Sequence, residues 1–141
     1  MRIIGFNLTK ISVKKKEKII GQLTVNQNID IIDIKPEKIE ISENEALKVY
    51  FKFIIDYSDD SAKLEFEGIV LTLPEKEELK KFLDSWKDKQ LPEDMRVPIF
   101  NFIMNKCNVL ALNIEDDMAL PYHIPMPRLD PNQAKNPESE N

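Results

Sequence analysis

The side chains able to do chemistry in this chain are few and scattered. A single histidine, His123, stands between Pro121 and Pro125, and a single cysteine, Cys107, lies upstream in an apolar run. Histidine is the residue type most often used as a general acid or base. A lone histidine in a proline-flanked extended segment is read more simply as a packing or surface residue. Cys107 falls on the apolar stripe expected of a helix, where a free thiol behaves as a small hydrophobe. The third candidate is the acidic triplet Glu115, Asp116 and Asp117. Carboxylates in a cleft can run acid–base chemistry and a docking surface is a further reading, but the triplet is read first as a solvated helix face. One histidine and one cysteine do not complete a zinc site, so no metal is expected. The glycines, Gly5, Gly21 and Gly68, all fall inside strand-like segments, which leaves no phosphate-cradling loop and no nucleotide cofactor. The inventory points away from an enzyme.

The elements that must position these residues follow from hydrophobic periodicity. Ile4, Phe6 and Leu8 share one face of a first strand over residues 3–13. Ile11 and Val13 continue in the opposite phase, which predicts a bulge near Thr9 and Lys10. A second strand is expected over 18–32, then a loop or edge excursion at Pro36 and a turn at Ser42, Glu43 and Asn44. Leu47, Val49, Phe51, Phe53, Ile55 and Tyr57 alternate through the clearest strand. After a turn at Ser58–Ser61 the chain returns over 62–73 as an antiparallel partner. Pro74 with Glu75, Glu77 and Glu78 opens a short helix striped by Leu79, Phe82, Leu83 and Trp86.

A longer helix starts near Glu93 or Pro98 and runs to about Leu120. Its stripe of Phe100, Ile103, Met104, Cys107, Leu110, Ala111, Ile114 and Met118 is assigned to the sheet. Phe102, Val109 and Leu112 lie opposite, with Asn101, Asn105, Asn108 and Asn113 as a thin polar strip. A helix apolar on two sides needs two covers, and one domain offers one sheet, so self-association of the helix layer is expected through Phe102, Val109 and Leu112.

Length sets one domain, residues 1–129, with a flexible polar tail over 130–141. Net charge of −5 and a basic cluster, Lys14, Lys15, Lys16 and Lys18, interrupted by Glu17, argue against nucleic acid. The lone cysteine, the lack of a leader-like start and the lack of about 18 consecutive apolar residues predict a soluble protein of the reducing cytoplasm without a membrane span.

The bulged IGFNLTKISV, the paired strands ending at FEGIVLTL, and VPIFNFIMNKCNVLAL closed by LPYHIPMP resemble the export chaperone SecB and its SecB-like relatives. The matching positions are Val97, Pro98, Ile99 and Phe100 before the helical run, and Pro121, Ile124 and Pro125 after it. The resemblance implies an α+β fold, a four-stranded antiparallel sheet with a short and a long C-terminal helix packed on one face. It also implies association into a dimer or dimer of dimers, and unfolded polypeptides held in apolar grooves without nucleotide. Trp86, Phe102, Tyr122, Ile124 and Met126 are the candidate client-binding residues. The tail has Lys135 as its one positive charge, and only Glu65 and Glu67 suggest an acidic sheet patch, so docking on an export motor does not follow. A non-catalytic scaffold with the same fold is the alternative, and an enzyme using Glu115, Asp116 or Asp117 is a weaker one.

Overall fold

A computed structural model describes residues 1–38, 45–127 and 129–131. Four strands, β1 (Arg2–Lys15), β2 (Val25–Lys38), β3 (Glu45–Tyr57) and β4 (Ala62–Leu73), precede helices α1 (Lys76–Trp86) and α2 (Glu93–Asp117). The strands form one antiparallel sheet in the order β1-β4-β3-β2. The fold is thus α+β, a four-stranded antiparallel sheet with a short and a long C-terminal helix.

Alternation decides which face is core. Leu47, Val49, Phe51, Phe53, Ile55 and Tyr57 of β3 and Leu64, Phe66 and Val70 of β4 are buried. The intervening Lys48, Tyr50, Lys52 and Ile54 meet Glu65, Glu67, Ile69 and Leu71 on the other face and stay half-buried. On that face Lys52 reaches Glu65 at 2.6 Å and Glu67 at 3.8 Å, while Lys10 of β1 reaches Glu65 at 3.4 Å. The hydrogen bond from Lys52 holds Glu65 below the usual carboxylate range, and the same bond raises Lys52.

The change of apolar phase in β1 is absorbed by a register shift between Leu8 and Lys10, after which Ile11 lies opposite Phe66 and Val13 opposite Leu64. A second shift, between Ile3 and Gly5, takes Ile4 off the face assigned to it and leaves it 40% exposed. The second strand begins at Val25 instead of residue 18. Its expected first part is a loop whose ends are tied to the β3–β4 turn, through Lys16 N–H to the Ser61 carbonyl and Ser58 N–H to the Thr24 carbonyl, both 2.9 Å. Gly21 therefore lies in that loop, with φ of 84°, and not in a strand. Pro36 stays inside β2 opposite Leu47, which an edge strand tolerates because part of its amides have no ladder partner. The turn expected at Ser42–Asn44 and most of the 130–141 tail lie outside the described residues.

Gly68 of β4 is where two elements come too close for a side chain. A Cβ there would lie 2.6 Å from the Asn7 carbonyl oxygen and 2.9 Å from the Phe51 ring. Phe6 stacks on that ring with centroids 5.6 Å apart, so the missing side chain lets the aromatic layer pass over the strand.

α1 opens on a reciprocal cap between Glu75 and Glu78. α2 continues through Pro98, at the cost of one internal hydrogen bond. Its buried residues are Met95, Ile99, Ile103, Cys107, Ala111 and Glu115, a strict every-fourth-residue ridge. Phe100, Met104, Leu110, Ile114 and Met118, assigned to the sheet-facing stripe, are its half-buried flanks. Length and a window of mean hydropathy 1.2 would let α2 cross a membrane, so the lack of an unbroken apolar run does not by itself exclude a span. In this fold its ridge lies on the sheet.

Gly68→Ala should cost about 1–3 kcal/mol through overpacking, read as a lower urea midpoint at unchanged m-value. Burial pushes the Cys107 thiol up to about 12. Below about pH 9 the thiol is neutral folded or unfolded, and above that only the unfolded chain ionises. Stability should therefore fall from about pH 9 towards 12 more steeply in the native protein than in Cys107→Ala, in paired denaturation series.

Candidate functional site

The flank of α2 that faces β2 carries Phe100, Met104 and Asn108 at successive four-residue steps, so the three lie in a row beside the sheet. At one end Phe100 joins Ile29, Ile31, Trp86 and Leu91 in an open recess of about 320 Å³, rimmed by Asp30, Lys89, Gln90 and Arg96. Lys89 lies over the Trp86 ring at 4.8 Å. In the middle the Gln27 amide approaches the Met104 sulfur at 3.7 Å. At the far end Asn108 meets His123.

His123 belongs to the strap, residues 121–127, that follows α2 and bends at His123 and Ile124. Its Nδ1 lies 2.9 and 2.8 Å from the two Glu115 carboxylate oxygens, and its backbone N–H donates to the first of them at 3.1 Å. Its Nε2 lies 2.7 Å from the Asn108 amide oxygen. With acceptors at both nitrogens, the ring satisfies the site by donating from both, as an imidazolium ion-paired to Glu115. Both side chains are fully enclosed. Phe53 closes the ring edge-on at 6.4 Å, and the Tyr57 hydroxyl donates a short hydrogen bond to the Pro121 carbonyl. Burial first, and the Glu115 charge second, hold the Tyr57 phenol above its ordinary range, which keeps it a donor.

This overturns the solvated reading for Glu115 and the polar-strip reading of Asn108, while Asp116 and Asp117 are exposed as expected. Glu115 is on the buried ridge, Asp116 accepts the Tyr122 hydroxyl at 2.9 Å, and only Asp117 is exposed without a bond of this kind among the described contacts. The carboxylates at the helix end, unfavourable for its dipole, are answered by the Lys15 ammonium, which donates to the Met118 carbonyl at 2.5 Å. His123 is a packing residue. Neither ring nitrogen is open to a substrate, Cys107 is buried, and among the described residues no three histidine, cysteine or acidic side chains converge as a metal site.

The candidate client-binding residues do not form one patch. Trp86 lines the recess on the β2 flank, and Tyr122, Ile124 and Met126 ride on the strap that enters the same flank. Phe102 is on the opposite flank, edge-on to Phe6 of β1 at 5.8 Å. Tyr122 and Met126 are 42% and 48% exposed, and Ile124 is half-buried. Of the residues assigned to self-association, Val109 is 63% exposed while Phe102 and Leu112 are half-buried. Reasoning from sequence missed Ile29, Ile31, Phe100, Asn108 and Glu115. Ile29 and Ile31 carried a signal as apolar residues on what turns out to be an edge strand.

Removing His123 leaves Glu115 buried without its cation, so His123→Ala should cost about 3 kcal/mol or more. The double change Glu115→Ala/His123→Ala should cost less than the sum of the single ones by at least about 1 kcal/mol. Additive urea-denaturation free energies would show that the pair is not coupled.

No protein-family model matches the sequence. No curated protein matches it either. Among solved structures, the fold is similar to that of the Mycobacterium tuberculosis Rv1957 SecB-like chaperone, solved in complex with a ChAD peptide from the Rv1956 HigA1 antitoxin. The TM-score is 0.51 at 15% sequence identity, over 92% of this chain and 87% of that one. The chain has a SecB-like fold.

Proposed function

We propose that this protein is an ATP-independent chaperone, a holdase that binds extended apolar segments of unfolded polypeptides in the groove between α2 and β2. The observation that carries the reading is the recess beside a strand at the sheet edge, where Ile29, Ile31, Trp86, Leu91 and Phe100 lie within a mostly polar rim of Asp30, Lys89, Gln90 and Arg96. An extended segment placed there gains a pocket for side chains and, along β2, main-chain partners. The likeness to a chaperone solved with a peptide supports the same direction. Burial at about 25 cal/mol per Å² over a few hundred Å² gives several kcal/mol, most of it offset by ordering the client. A single groove is therefore weak, and tight capture needs several grooves on one client.

The outward face of α2 offers a way to supply them. Val97 is 49% and Val109 63% exposed on the side away from the buried ridge, while the half-buried Phe102 and Leu112 fall on its two opposite flanks. A second copy covering this face would yield a cytosolic, non-catalytic oligomer with several grooves. Val109→Glu should lower the mass measured by light scattering while leaving circular dichroism unchanged; an unchanged mass would remove this face from the interface.

Calorimetric titration with a permanently unfolded, reduced polypeptide should show saturable binding with a negative heat-capacity change, and none with the same polypeptide folded. Trp86→Ala should weaken that binding about tenfold or more. Binding of neither form would leave a dedicated scaffold as the better account.

A further inference from the structure

The groove has an end that is already filled. Asn108 continues the row begun by Phe100 and Met104, and it is taken by His123 of the chain's own strap. We infer that the strap, residues 121–127, is an autoinhibitory occupant of the groove, latched by the buried Glu115–His123 pair, and that a polypeptide client gains the full groove by displacing it. The inference rests on the client-binding reading above and names a control built into that site.

The strap has the chemistry of a client. Pro121, Pro125 and Pro127 bar it from a helix, the chain bends at His123 and Ile124, and Tyr122, Ile124 and Met126 give it apolar side chains. Its hold is polar where a permanent core element would use apolar burial. Tyr122 and Met126 remain substantially exposed, and the enclosed contacts are His123 to Glu115 and Asn108 and the Tyr57 hydroxyl to the Pro121 carbonyl. A buried ion pair is worth little net when both partners are hydrated on release. Lifting the strap lets water reach Glu115 and His123 together, so the latch opens at moderate cost. Beneath it lie Phe53, edge-on to His123, and Tyr57, bonded to Pro121, both buried while the strap is in place.

The test uses the full chain with Glu115→Gln/His123→Ser, which leaves no unpaired charge in the core. Hydrogen exchange without client should show lost protection at the residue 123 amide, with β3 and β4 amides protected as in the wild type. Binding of the unfolded polypeptide should tighten about tenfold if the closed strap leaves the groove open about a tenth of the time. In the wild-type protein, client binding should itself deprotect the His123 amide. Strap amides that stay protected in the variant, or client affinity equal to wild type after release, would overturn the latch. A released strap with no client bound by either protein would instead overturn the holdase reading, with the strap still shown to be detachable.

Discussion

A carboxylate on the core ridge of a helix has to be given a partner, and much of this domain's C-terminal arrangement follows from that requirement. Glu115 is the last step of the ridge that begins at Met95, and it is as buried as the isoleucines before it. Burying that charge unpaired would cost several kcal/mol, on the order of the whole stability of such a domain. The chain must therefore turn back after α2 to deliver a cation. The left-handed Ala119, φ 53°, makes the reversal, Leu120 N–H returns to the Glu115 carbonyl at 2.8 Å, and His123 arrives with two donors aimed at α2. Tyr57 at the end of β3 then fixes Pro121. The strap's course is thus set by hydrogen bonding, and its prolines only keep it from doing anything else.

The two faces of the sheet handle charge in different ways. Beneath the helices one ion pair is sealed with every enclosed side-chain polar atom satisfied among the described residues. On the opposite face Lys10, Glu65, Lys52 and Glu67 form a row running from β1 across β4 to β3, partly open to water. Exposed pairs of this kind contribute little stability and are screened by salt. Their stronger effect is on specificity: a one-residue slip of β4 against β3 would set lysine against apolar neighbours and turn Phe66 outward. The sheet's register is held from both sides.

The strand hairpin, both helices and the bulge at Thr9 were legible in the sequence because each leaves a local periodic trace. The α+β assignment followed from them. What escaped was long-range. Glu115 looked like surface because a carboxylate in an acidic triplet usually is, and its partner lies eight residues on in a segment without periodicity. Asn108 looked like solvent-facing polarity for the same reason. The start of the second strand was misplaced because Ile19 and Leu23 alternate like strand residues while their backbone is tied to the Ser58–Ser61 turn. Trp86 and Phe102, one apolar group by composition, sit on opposite flanks of α2. Only the packing of the helix on β4 decides which flank each residue joins.

That split gives the two flanks different physical characters. On the β1 side Phe102 sits edge-on to Phe6, which stacks on Phe51, and the packing of that layer requires the bare backbone of Gly68. Such a flank is part of the core and has no room for a visitor. On the β2 side the row from Phe100 to Asn108 meets an edge strand with one ladder neighbour, an open recess at one end and a polar anchor at the other. Open backbone hydrogen-bonding capacity beside apolar side chains is the combination an extended chain of arbitrary sequence can use, because main-chain partners demand no particular residue. The same capacity makes an edge strand hazardous when uncovered. Under the holdase reading proposed above, a segment of the chain's own strap at one end of that flank would answer two needs at once, covering that end at rest and standing where a client would be received.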